Sequence, residues 1–73
     1  MDNELIKRKK EMFDKGYIYC EEYKGFELYF YTTNNFIFYA IYDKMNKKFI
    51  EQDVMTKLSC KRKITKFLKR MEG

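Results

Sequence analysis

Three kinds of hydrophobic pattern follow one another along the chain. Residues 3–13, "NELIKRKKEMF", carry a thin apolar stripe of Leu5, Ile6, Met12 and Phe13, with Lys7, Arg8, Lys9 and Lys10 on the turn between its halves. The spacing predicts a short helix, capped by Asp2 and ended by Gly16 in the left-handed conformation. Dense runs of β-branched and aromatic residues then predict strands at 17–22, 26–33 and 36–42, and a weaker one at 48–51 after the polar loop 43–47. A last helix is predicted to start near Asp53 or Thr56, either of which suits an N-cap. Its residues Cys60, Ile64, Phe67, Leu68 and Met71 recur at helical spacing and form one apolar face.

The expected architecture is α-β-β-β-(β)-α, a small α+β single domain over residues 1–73. Its antiparallel meander sheet has three or four strands, with the N- and C-terminal helices both packed on one face. Turn chemistry sets the register and thus decides which residues share a face. Asn34-Asn35 suits a two-residue hairpin turn, which pairs Thr33 with Phe36, Tyr31 with Phe38 and Tyr29 with Ala40. Tyr23-Lys24-Gly25 suits a three-residue loop, which pairs Glu22 with Phe26, Cys20 with Leu28 and Ile18 with Phe30. One sheet face then collects Ile18, Cys20, Leu28, Phe30, Ile37, Tyr39 and Ile41. The other collects Tyr17, Tyr19, Tyr29, Tyr31, Phe36, Phe38, Ala40 and Tyr42.

That second face is the first candidate site. With both helices on the aliphatic side it stays open, and exposed aromatic patches mark contact surfaces. Tyr17, Tyr19, Tyr29, Tyr31, Phe36, Phe38 and Tyr42 are the expected partner-binding residues, around a shallow depression at Ala40. A homodimer that buries this face against its twin is a second use of the same surface. An ordinary strand-forming role, or partial cover by the loop or fourth strand, is the third.

Charge adds a second candidate. The chain of 73 residues has a formal net charge of +5, which invites a nucleic-acid reading. Thirteen of the sixteen cations are Lys, and Pro is absent. The favoured residues have AT-rich codons, so codon usage accounts for much of the excess. The last helix is nevertheless strongly basic: Lys57, Lys61, Arg62, Lys63, Lys66, Lys69 and Arg70 surround its apolar stripe, opposed only by Glu72. Lys61, Arg62, Lys63, Lys66, Lys69 and Arg70 are the expected nucleic-acid contacts. An anionic membrane, an acidic protein groove or plain solvation are the competing roles for this helix.

Little points to catalysis. Glu21, Glu22 and Glu27 lie near one hairpin tip, but they have no recognisable spacing and no His to work with, and they read as solvated strand-end charges. Cys20 and Cys60 form no CxxC, and two thiols cannot supply a zinc site from one chain, so both read as reduced core thiols. No glycine-rich phosphate loop is present. The expectation is a protein that is not an enzyme and uses no cofactor or metal. The longest apolar run, 36–42, falls far short of the ~20 residues of a membrane helix. The start lacks a secretory h-region, so the cytoplasm is the expected compartment.

Stacking bases on sheet tyrosines is the device of RNA-recognition-motif domains. Their strand–helix order and signature strands are absent here. Very small, motif-less chains of this composition are common among phages and other mobile elements, where many inhibit host machinery stoichiometrically, anti-CRISPR proteins among them. The leading expectation is therefore a non-catalytic binding protein of that inhibitor kind, docking on a host protein or nucleoprotein through the Tyr/Phe face and flanking charges. The alternative is a basic nucleic-acid-binding accessory protein that grips phosphates with the last helix and stacks sheet tyrosines on bases.

Overall fold

A computed structural model of the chain describes residues 3–72, with the side chain of Glu72 left out of the description. Asp2, the expected N-cap, lies outside these residues. The elements are α1 (Asn3–Asp14), β1 (Ile18–Tyr23), β2 (Phe26–Thr33), β3 (Phe36–Asp43), β4 (Lys48–Val54) and α2 (Lys57–Glu72). They make an α+β domain whose four strands form one antiparallel meander, in the order β1-β2-β3-β4. No helix among the described residues is long and apolar enough to cross a membrane.

Local chemistry explains where each element ends. Gly16, at φ +96°, closes α1. Its N–H donates to the Phe13 carbonyl and the Tyr17 N–H donates to the Met12 carbonyl, the paired bonds of a Schellman motif. Tyr17 also packs against the cluster of Met12, Tyr29 and Tyr42. Thr56 caps α2, its hydroxyl accepting from the Ser59 N–H at 3.1 Å. Asn34 and Asn35 both hold positive φ, as a type I′ turn requires, and β2 pairs with β3 in the expected register from Thr33↔Phe36 to Tyr29↔Ala40.

The first hairpin departs from expectation in an instructive way. Lys24 and Gly25 both take positive φ, so the turn has two residues and Tyr23 pairs with Phe26. Glu22 therefore opposes Glu27, and Glu21 opposes Leu28, in place of the expected partners. A bulge at Cys20 absorbs the extra residue, and Ile18 still pairs with Phe30. β4 is longer than expected, running to Val54, and it is irregular at two points, with Asp53 at φ +58°.

The two helices do not share a face, and this corrects the expected packing. α2 covers the aliphatic side, where Cys60 and Ile64 close over Phe26, Leu28, Ile41 and Val54, flanked by Cys20, Tyr39 and Ile50. α1 covers the tyrosine side, where Met12 sits with Tyr29 and Tyr42, flanked by Tyr17, Tyr19 and Phe49. The sheet is thus the middle of three layers. The reason lies in how polar each helix is. α2 has a full apolar stripe and takes the aliphatic face. α1 has a thin stripe and a run of cations, and the tyrosine face meets those cations with a carboxylate and with ring faces. Arg8 is held by Glu27, and the Lys9 ammonium lies 4.3 Å from the centre of the Tyr19 ring.

Candidate binding surfaces

With α1 in place, the seven ring residues expected to form one open surface divide into two groups. Tyr29 is completely buried and Tyr42 nearly so, which removes both from any contact surface. Tyr17 and Tyr19 are half-buried against α1. The expected depression at Ala40 is closed: Ala40 is fully buried. Tyr17 lies 5.2 Å from Tyr31 on β2 and 4.8 Å from Phe49 on β4.

The centre of this layer is polar. Glu27 is buried without exposed surface, and it accepts from Arg8 Nε at 2.6 Å, from the second Arg8 nitrogen, and from the Tyr29 hydroxyl at 2.7 Å. The hydrogen bond to Glu27 raises the Arg8 guanidinium pKa further, against the opposing effect of burial. Burial, followed by the bond to Glu27, raises the Tyr29 phenol well above its ordinary range. The Tyr31 hydroxyl donates to Asp53 and accepts from the Asp53 N–H at 2.9 Å. Desolvation, with the Asp53 contact second, pushes its pKa up to about 12.

The ring residues left uncovered gather at the β2–β3 end. Phe36 is 61 % exposed and Phe38 half-buried, and their rings continue at 5.9 Å to Tyr31. Phe13, at the end of α1, is also exposed. On the opposite face the same strand end shows Ile37, 53 % exposed, although the sequence placed it in the core. Ile18 and Leu58 are exposed on that side as well. Residues 32–38, "TTNNFIF", contain no charge. Thus Phe36, Phe38 and Tyr31 remain as candidates from the expected set, and Ile37 joins them.

The expected acidic cluster is split between the two faces, with Glu22 and Glu27 opposite each other and Glu21 on the other side. Glu21 pairs with Lys61 on the α2 side, Glu22 with Lys44, and Glu27 with Arg8 on the α1 side. Among the described residues, no group of three or more His, Cys, Asp or Glu is placed to hold a metal ion. Cys60 is buried and free, its thiol pushed up to about 11 by desolvation, and Cys20 is free and half-buried.

The basic candidates on α2 all lie on or beside its outer side, because the stripe of Cys60 and Ile64 faces the sheet. A shallow groove of about 550 Å³ is lined by Tyr23, Leu58, Lys61, Arg62, Thr65 and Lys66, with Ser59 and Lys63 beside them. Lys24 and Lys61 each place an ammonium 5.3 Å from the centre of the Tyr23 ring. A hydrogen bond with Thr65, then these two cations, hold the Tyr23 phenol below its ordinary pKa. The sequence pointed to these cations through the charge run. It gave no signal that Tyr23, on β1, would lie among them. No family model, curated protein or solved structure matches this chain.

Proposed function

We propose that the chain is a non-catalytic binding protein that docks on a host protein or nucleoprotein through the end of its β2–β3 hairpin. On this reading it acts in the cytoplasm as a stoichiometric inhibitor of the kind carried by phages and other mobile elements, the anti-CRISPR type included. The supporting observation is the exposure of Phe36 and Ile37 on opposite faces of one strand end, beyond the cover of either helix. Neither ring nor aliphatic side chain contributes to the buried clusters, so folding gives no account of them. Large side chains of this sort, on a turn without charge, have the character of interface anchors.

The test compares the wild type with Phe36→Ser and Ile37→Ser as bait in host lysate, with melting curves run in parallel. The expected result is a partner retained by the wild type, lost with either variant, and melting temperatures within a few degrees of one another. A partner retained equally by both variants would contradict the reading. So would light scattering that reports a dimer which Phe36→Ser dissolves, since the strand end would then serve self-association.

A further inference from the structure

Positive charge in this protein is segregated, which codon usage does not produce. The seven Lys and Arg of α2, set against Glu72, give that helix a formal charge of +6. The whole chain carries +5, so the other 57 residues together carry −1. A bias toward Lys codons would act on every surface alike. Here α1 mixes its four cations with Glu4, Glu11 and Asp14, and the sheet carries Glu21, Glu22, Glu27, Asp43, Glu51 and Asp53.

The α2 cations are also mostly unspent. Lys61 reaches Glu21 at 3.2 Å and Lys63 reaches Glu51 at 3.7 Å. Among the described residues, Lys57, Arg62, Lys66, Lys69 and Arg70 take part in no ion pair. Arg62, Lys66 and Arg70 recur every fourth residue, so they stand about 6 Å apart along the axis on one exposed line. The groove beside this line adds the Ser59 hydroxyl, and next to it the ammonium groups of Lys24 and Lys61 lie against the Tyr23 ring.

Three polyanions could meet such a ridge, and the surroundings favour one. A membrane-binding helix lies with its apolar face in the lipid, but the apolar face of α2 is buried on the sheet. Cores of protein interfaces are depleted in Lys, whereas Lys61, Lys63 and Lys66 all line this groove. Phosphates spaced along a chain need what is present: flexible point charges at regular intervals, with the Ser59 hydroxyl beside them.

We infer that the outer side of α2, centred on Lys61, Arg62, Thr65 and Lys66 beside Tyr23, binds the phosphate backbone of a nucleic acid without reading its sequence. This surface is separate from the hairpin end. A protein carrying both would engage a nucleoprotein at two places.

The experiment is fluorescence anisotropy of labelled 20-nucleotide single strands and duplexes of DNA and RNA, titrated with the full chain at 50–200 mM salt. A fluorescent poly-glutamate peptide and phosphatidylserine vesicles serve as competing probes. At least one nucleic acid should bind, and log affinity should fall with log salt at a slope of about −3, as four phosphate contacts give. Arg62→Ala and Lys66→Ala, both at exposed positions, should each flatten that slope by about 0.7–0.9 with circular dichroism unchanged. Phe36→Ser should leave it unaltered. The inference is overturned by absence of binding to every nucleic acid at 50 mM salt. It is equally overturned if poly-glutamate or the vesicles bind as tightly as the best nucleic acid, or if the α2 substitutions leave the slope unchanged.

Discussion

Arg8 and Glu27 hold α1 to the sheet, and replacing one of them should cost more than replacing both. Glu27 has no exposed surface and Arg8 keeps only 16 % of its side chain in solvent, so water screens the pair weakly. Arg8→Met keeps the length of the side chain but removes two of the three donors on the carboxylate, leaving only Tyr29. A buried carboxylate stripped of its cation costs about 3–5 kcal/mol. Chains of this size are stable by roughly 4–11 kcal/mol, so the variant should melt at least ~12 °C lower. The double variant Arg8→Met/Glu27→Met removes both charges. It leaves only the Tyr29 hydroxyl without its acceptor, a penalty of about 1–3 kcal/mol. Urea unfolding followed by circular dichroism gives all three free energies. The double variant should be more stable than Arg8→Met alone. A cost below about 1 kcal/mol for Arg8→Met, or additive costs in the double, would refute the clamp and with it the firm seating of α1 on the tyrosine face.

Other expectations follow from burial and charge. Tyr29→Ser should cost about 3 kcal/mol or more, as a buried ring is lost, while Phe36→Ser at its exposed site should change stability by less than about 0.5 kcal/mol; paired thermal melts separate the two. Burial works to raise the Asp43 carboxyl, but hydrogen bonds from the Asn46 side chain and from the N–H groups of Asn46 and Met45 outweigh it and hold its pKa below the ordinary aspartate value. Its contribution is therefore present above the unfolded value and lost as pH falls through the folded one. Urea midpoints measured from pH 6 to pH 2 should show a decline below about pH 4 that Asp43→Asn makes shallower. Cys60, buried and with a raised thiol pKa, should react with a disulfide reagent at neutral pH only after denaturant is added. Labelling of Cys60 in the Cys20→Ser protein at the rate of a free thiol would contradict its place in the core.

How far the fold was legible depends on the kind of information each residue carries. Asn34-Asn35 named its own turn, because few other residues accept two successive positive φ values, and the β2–β3 register followed. The bulge at Cys20 carried no such mark. A three-residue loop with regular pairing and a two-residue loop with a bulge both bring Ile18 to Phe30, so the sequence could not separate them. Strand alternation correctly sorted the residues by face, yet it is silent on which helix covers which face. That choice depended on Glu27, which pattern reasoning placed at a strand end in solvent and the fold buries beneath Arg8. Once Glu27 anchors α1, Tyr29 and Tyr42 become core, and the candidate surface shrinks to the hairpin end. The basic run of α2 was plain in the sequence. That Glu21 and Glu51 reach only Lys61 and Lys63, leaving its other cations without ion pairs among the described residues, emerged only from the fold.

The most direct test of the account places a photo-crosslinking amino acid at position 36 and, separately, at position 10, an exposed site on the outer part of α1, and irradiates host cells that express each protein. The expected result is one discrete adduct with a host protein from position 36 and none from position 10. Adducts that form equally from both positions, or from position 36 only with a second copy of this chain, would contradict the claim that the β2–β3 end is the surface by which this protein works.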